Sequence, residues 1–171
     1  GGGMKRAAVL FLASVATGGC VIADVTATRD APGAVAREYA SPTAFYAKSI
    51  VIQPGYETIR LPGIIADPLT PGGADYGDTE TQTASVLGKI AAGLNSVGAS
   101  EADVVAMTVY LVAPQPGAVM DFQGMMRAYG KRYGSESQPN RPVRSTVQVA
   151  GLVGPGMLVE IEVTAARKPR R

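Results

Sequence analysis

The 171-residue sequence contains no histidine and one cysteine, Cys20. Without histidine, a Ser-His-Asp triad, a Cys-His dyad and any His-containing metal site are excluded. A lone cysteine excludes an intrachain disulfide and every CxxC centre. Chemistry therefore has to rest on carboxylates, Arg and Lys, Tyr, hydroxyls and backbone amides. Charge is also scarce, at 18% of residues against 46% hydrophobic. That balance excludes wholesale disorder and suits one domain with a packed core. A basic face is missing as well. The formal net charge of +2 comes from Lys5 and Arg6 at one end and Arg167, Lys168, Arg170 and Arg171 at the other. Residues 21–166 hold 10 basic against 14 acidic residues, a net of −4. A nucleic-acid binder carries its basic surface within the fold, so no nucleic-acid partner is expected.

The first segment reads as address rather than fold. Gly1–Gly3 precede the first methionine and are read as an expression scar. Met4-Lys5-Arg6 then leads into an apolar run from Ala7 to Ala16, the positive n-region and short apolar h-region of an export signal. The run falls short of the roughly 20 apolar residues that span a bilayer. Two cuts are compatible with it. Thr17-Gly18-Gly19-Cys20 resembles a bacterial lipobox, which predicts a lipidated Cys20 anchored to the membrane. Ordinary signal peptidase would cut after Val25-Thr26-Ala27. Either predicts an exported, periplasmic protein. We divide the chain into residues 1–20 (scar and signal), 21–35 (tether), 36–166 (one domain) and 167–171 (basic tail).

Within the domain, Tyr46–Ile52 and Tyr56–Ile64 are β-rich runs around Gln53-Pro54-Gly55 and predict a hairpin. Thr79-Glu80-Thr81-Gln82 fits a capping box with Thr79 as N-cap. Val86, Leu87, Ile90, Ala91, Leu94 and Val97 follow as one helical stripe, stopped by Gly98. Val104–Val112 predicts a central strand, and Val119–Tyr133 a second helix with Phe122, Met125, Met126, Tyr129 and Tyr133 on a shared face. Val143–Val153 and Met157–Ala165 predict a second hairpin around Gly154-Pro155-Gly156. The order β-β-α-β-α-β-β indicates an α+β domain, a mixed sheet with two helices on one face. Apolar residues on both sides of the last two strands predict a second sheet face buried by oligomerisation.

The last two strands also carry the candidate chemistry. Arg144 lies in Arg141-Pro142-Val143-Arg144-Ser145-Thr146, and Glu160 and Glu162 alternate with Val159, Ile161 and Val163. An arginine beside a glutamate would bind a small carboxylate and hold a water as general base. Ordinary cross-strand ion pairs would leave the same pattern.

Pro142-Val143-Arg144-Ser145-Thr146-Val147, followed by Val159-Glu160-Ile161-Glu162-Val163, resembles the C-terminal signature of the RidA (reactive intermediate deaminase) family. Glu80-Thr81-Gln82-Thr83, Leu94 with Gly98, Val104-Val105, Thr108-Val109-Tyr110-Leu111 and Asp121-Phe122 ahead of Tyr129 agree, so the resemblance covers about residues 40–166. It implies a chorismate mutase-like fold and a homotrimer with clefts between subunits. It also implies hydrolysis of small enamine or imine acids such as 2-aminoacrylate to 2-keto acids and ammonia, without metal or cofactor. By the same resemblance Arg144 binds the substrate carboxylate, Glu160 activates water, Thr146 lines the cleft, and Tyr46 reaches it from the neighbouring subunit. The chain departs from the family pattern at Phe45 (proline), at Pro62-Gly63 (Ser-Gly) and at Met126 (asparagine).

Three functions stay open: imine deaminase, small-carboxylate-binding protein, and envelope-anchored scaffold trimer. For the N-terminus, the intact mass of protein from its native host is expected to lack every residue before Cys20. A retained Met4 contradicts the export reading, and a mass without acyl chains selects the cut after Ala27.

Overall fold

A computed structural model describes residues 35–170. The export signal, the lipidation candidate Cys20 and nearly all of the tether lie outside the described residues. The elements run β1 (Ala36–Glu38), β2 (Ser49–Val51), β3 (Glu57–Ile65), α1 (Thr79–Ser96), a single 3-10 turn (Glu101–Asp103), β4 (Val104–Val112), α2 (Phe122–Tyr129), β5 (Val143–Val149) and β6 (Val159–Arg167). The main sheet has the order β3-β6-β4-β5, in which β4 and β5 are parallel and the other pairs antiparallel. Two helices and a mixed sheet confirm the α+β class.

Neither predicted hairpin forms. β2 pairs with β1 instead of β3, in a separate two-stranded sheet with Ala36 opposite Val51. β1 itself escaped sequence reading, because three residues carrying Arg37 and Glu38 show no alternation. It is held by charge: Glu38 accepts from Ser49 Oγ (2.9 Å) and Lys48 Nζ (3.2 Å). The buried Arg37 donates to the carbonyls of Ala102 and Val104. In the main sheet, β4 separates β5 from β6. The cause is the β4-α2-β5 order, since a strand that returns after a helical crossover pairs parallel with the one it left. β6 then fills the other edge of β4 and runs on through Arg167, one residue into the basic tail.

The helices differ from expectation only at their ends. Asp78, not Thr79, caps α1, accepting from Thr81 N at 2.8 Å. α2 is shorter than expected and is capped by Asp121, which accepts from Gly124 N at 2.8 Å. Gly98 does end α1. It adopts φ +75°, its N–H reaches Asn95 O, and Ala99 N reaches Leu94 O (2.9 Å), the paired bonds of a Schellman cap. The Arg167 and Arg170 guanidinium groups donate to Gly98 O at 3.1 and 2.9 Å, matching cations to the negative helix end.

Both helices cover one face of the sheet. Leu87, Ile90 and Leu94 of α1 and Met125 and Tyr129 of α2 pack with Met107, Val109 and Leu111 of β4 and Val159, Ile161 and Val163 of β6 in one buried cluster. The opposite face is more polar than the sequence reading anticipated. β6 presents Glu160, Glu162 and Thr164 there, while Val147 and Val149 of β5 supply apolar surface.

Gln82, read as a capping-box residue, is fully buried and does something else. Its Nε2 donates to Gly77 O and Gly156 O, both 2.9 Å, and its Oε1 accepts from Leu158 N at 2.8 Å. It thus ties the start of α1 to the loop entering β6. Gln82→Leu leaves three backbone groups without partners at about 1–3 kcal/mol for each that stays dry. Urea unfolding is expected to show a loss of roughly 2–4 kcal/mol, with α-helical content retained.

Candidate active site

The strand registers decide where the candidate residues point. Arg144 sits opposite Met107, a core residue under the helices. Glu160 sits opposite Tyr110, three residues further along β4. An odd separation on one strand reverses the face. Arg144 and Thr146 therefore lie on the helix-covered side of the sheet, and Glu160 on the open side. Within one protomer they cannot address the same ligand.

The Arg144 half is built by α2 and the loop before β2. The guanidinium carbon lies 4.3 Å from the centre of the Tyr129 ring and 5.9 Å from that of Phe122, both cation–π distances. The Tyr129 hydroxyl donates to Phe45 O at 2.9 Å, and Ala47 N donates to Pro142 O at 2.9 Å. These two bonds clamp the Phe45-Tyr46 loop against the start of β5, the strand that carries Arg144. Phe45 and Tyr46 are more than half exposed, which is unusual for aromatic side chains. Burial lowers the pKa of Arg144 from its ordinary value, opposed by Tyr129 and Tyr46. Burial also pushes the Tyr129 hydroxyl up to about 12, against the pull of Arg144. Among the described residues, Arg144 Nη1 and Thr146 Oγ1 are buried without a hydrogen-bond partner. Both residues lie on one face of β5.

The Glu160 half lies at a bulge. The β3–β6 register slips between Leu61 and Ile64, so Pro62 and Gly63 pair with nothing on β6. A Cβ on Gly63 would overlap the Glu160 carboxylate. Glycine is thus what lets that carboxylate lie against the bulge. Glu162, on the same face, accepts from the Tyr110 hydroxyl at 3.2 Å. A hollow of about 470 Å³ opens on this side, lined by Arg60, Pro62, Thr108, Glu162 and Thr164 among others. No group of histidine, cysteine, aspartate or glutamate side chains among the described residues could hold a metal ion.

The structure thus groups Arg144, Thr146 and Tyr46 and sets Glu160 apart. Sequence reading had made Arg144 and Glu160 hairpin neighbours, and that is corrected here. It also missed Tyr129, which looked like core and is in part the platform for Arg144. Its spacing from Phe122 was the available signal.

The mixed four-stranded sheet with two helices on one face is the chorismate mutase-like α+β fold. The chain belongs to the family described as Endoribonuclease L-PSP, also called the YjgF or Rid family, whose profile matches residues 41–167. No curated protein is a sequence match. Among solved structures it is similar to a Rid-family protein of unknown function from Yersinia pestis (26% identity, TM-score 0.58). That likeness covers 72% of this chain and 87% of the other. A candidate endoribonuclease from Thermotoga maritima is 30% identical with TM-score 0.52, at the same coverages. Escherichia coli TdcF with bound serine is 27% identical with TM-score 0.53, covering 68% of this chain and 85% of that one.

A buried arginine with its Nη1 donor unmatched contributes little net stability. Arg144→Met is expected to leave the unfolding free energy unchanged or raise it by up to about 1 kcal/mol, since removing an unmatched buried donor offsets the lost ring contact. A loss above about 2 kcal/mol in denaturant unfolding assigns Arg144 a structural role instead.

Proposed function

We propose that this protein deaminates small reactive enamine or imine acids to 2-keto acids and ammonia, at clefts between the subunits of a homotrimer. One observation carries the reading. Arg144 and Glu160 each stand in a prepared setting but on opposite faces of the same sheet, so a second copy is needed to bring them together. In the assembled cleft the substrate carboxylate pairs with the Arg144 fork, filling its unmatched donor. Thr146 and Tyr46 bind beside it. Glu160 of the neighbouring copy takes a proton from water, whose oxygen adds to the imine carbon. Addition to the iminium form gives a neutral carbinolamine; Glu160 returns its proton to the nitrogen, the C–N bond breaks as the C=O bond forms, and the hydroxyl proton leaves with the ammonia as ammonium, beside the keto acid. The polarised C=N bond is electrophilic already, so no metal or cofactor enters the scheme. The small amino acid bound to TdcF supports a ligand of this size and charge.

A carboxylate-binding protein without turnover is the second reading, and Pro62 favours it. Proline supplies neither a hydroxyl nor an N–H at the bulge beside Glu160. RNA does not fit the reading, given the net −4 of residues 21–166. The Lys5-Arg6 and apolar-run pattern supports an exported, periplasmic location, with Cys20 as the membrane anchor.

Arg144→Ala is expected to weaken 2-keto acid binding by roughly ten- to more than a hundredfold, the equivalent of about 1.5–3 kcal/mol for a charged hydrogen bond. Arg144→Lys recovers little of it, because an ammonium lacks the planar fork. Glu160→Gln is expected to abolish loss of enzymatically generated 2-aminoacrylate while leaving keto-acid affinity nearly unchanged. Gly63→Ala should imitate it by displacing the carboxylate. If Glu160→Gln keeps full turnover the deaminase mechanism is wrong, and a stable monomer in sedimentation at micromolar concentration removes the shared cleft.

A further inference from the structure

We infer that the Arg144 cleft selects acids with an apolar side chain over those with a polar one, because α2 presents it a wall of carbon and sulfur. The inference rests on the carboxylate-binding reading above and narrows its substrate class.

The wall follows from helical spacing. Phe122, Met126 and Tyr129 fall at i, i+4 and i+7 and share one stripe of α2. Tyr129 and Phe122, the two ends of that stripe, are the rings 4.3 and 5.9 Å from the Arg144 guanidinium. Met126 lies between them, partly buried at the rim of the core. A ligand whose carboxylate sits on Arg144 and whose chain follows α2 therefore meets Phe122 and Met126.

The polar groups near this wall on its own protomer are already committed. The Tyr129 hydroxyl is bonded to Phe45 O. Gln148, next but one after Thr146 along β5, uses its Oε1 on Met120 N at 2.8 Å and its Nε2 on Ala118 O. The hydroxyls of Thr146 and Tyr46 remain, and the carboxylate and imine of the reacting end take those. A hydroxyl or ammonium on the ligand's side chain would be desolvated against α2 without a partner, which is costly. A methylene there gains by leaving water.

Calorimetric titration of the intact protein with pyruvate, 2-oxobutanoate, 2-oxopentanoate and 3-hydroxypyruvate tests the inference. Affinity is expected to rise about fourfold with each added methylene, with 3-hydroxypyruvate no tighter than pyruvate. Met126→Asn should cut the step to twofold or less, and Met126→Leu should preserve it. A flat series in the parent, or tighter binding of 3-hydroxypyruvate, overturns the inference. If pyruvate binding still depends on Arg144 in that case, the carboxylate cleft stands and only its selectivity is wrong. If none of the four acids binds, both readings fall together.

Discussion

The parallel pairing of β5 with β4 is the constraint on which the candidate site depends. It puts Arg144 opposite Met107 and so turns the guanidinium toward α2. The antiparallel pairing of β6 on the other edge of β4 puts Glu160 opposite Tyr110 and turns its carboxylate away from the helices. A shift of one residue in either register would flip the side chain to the other face. The placement of Arg144 and Glu160 on two faces is thus a property of backbone hydrogen bonding.

The two faces are built by different means. Under the helices, β-branched and aliphatic side chains of β4 and β6 interlock with Leu87, Ile90 and Leu94, and the core leaves little room for polarity. Polar groups that do enter differ in how far they are matched. Gln82 spends its observed bonds on the backbone of two loops. Arg144 Nη1 and Thr146 Oγ1 lack a partner among the described residues, as do the buried Thr79 Oγ1 and the Tyr133 hydroxyl outside the candidate site. Each unmatched buried polar atom costs stability.

Helix existence, the central strand and the α+β class were legible because each rests on local periodicity. The Val86–Leu94 stripe and the glycine stop at Gly98 are properties of a dozen consecutive residues. The pairing of strands was not legible in the same way. Pro54-Gly55 and Pro155-Gly156 are turn formers whether or not the flanking strands are neighbours, and both hairpins drawn from them were wrong. β1 was invisible because its three residues are fixed by contacts far away in the chain, including Arg37 to Ala102 and Val104.

For the site, the residue types and their alternation were available from the sequence: an arginine and a threonine on one face of β5, and glutamates on one face of β6. The pattern that ties these segments to the Rid family was available too, because short motifs in a fixed order survive in the linear chain. The tertiary structure alone decided that the two faces are opposite ones, that Tyr129 carries Arg144, and that the Gly63 bulge receives Glu160. Alternation fixes which side chains of a strand share a face, but only the register against a neighbouring strand fixes which face that is.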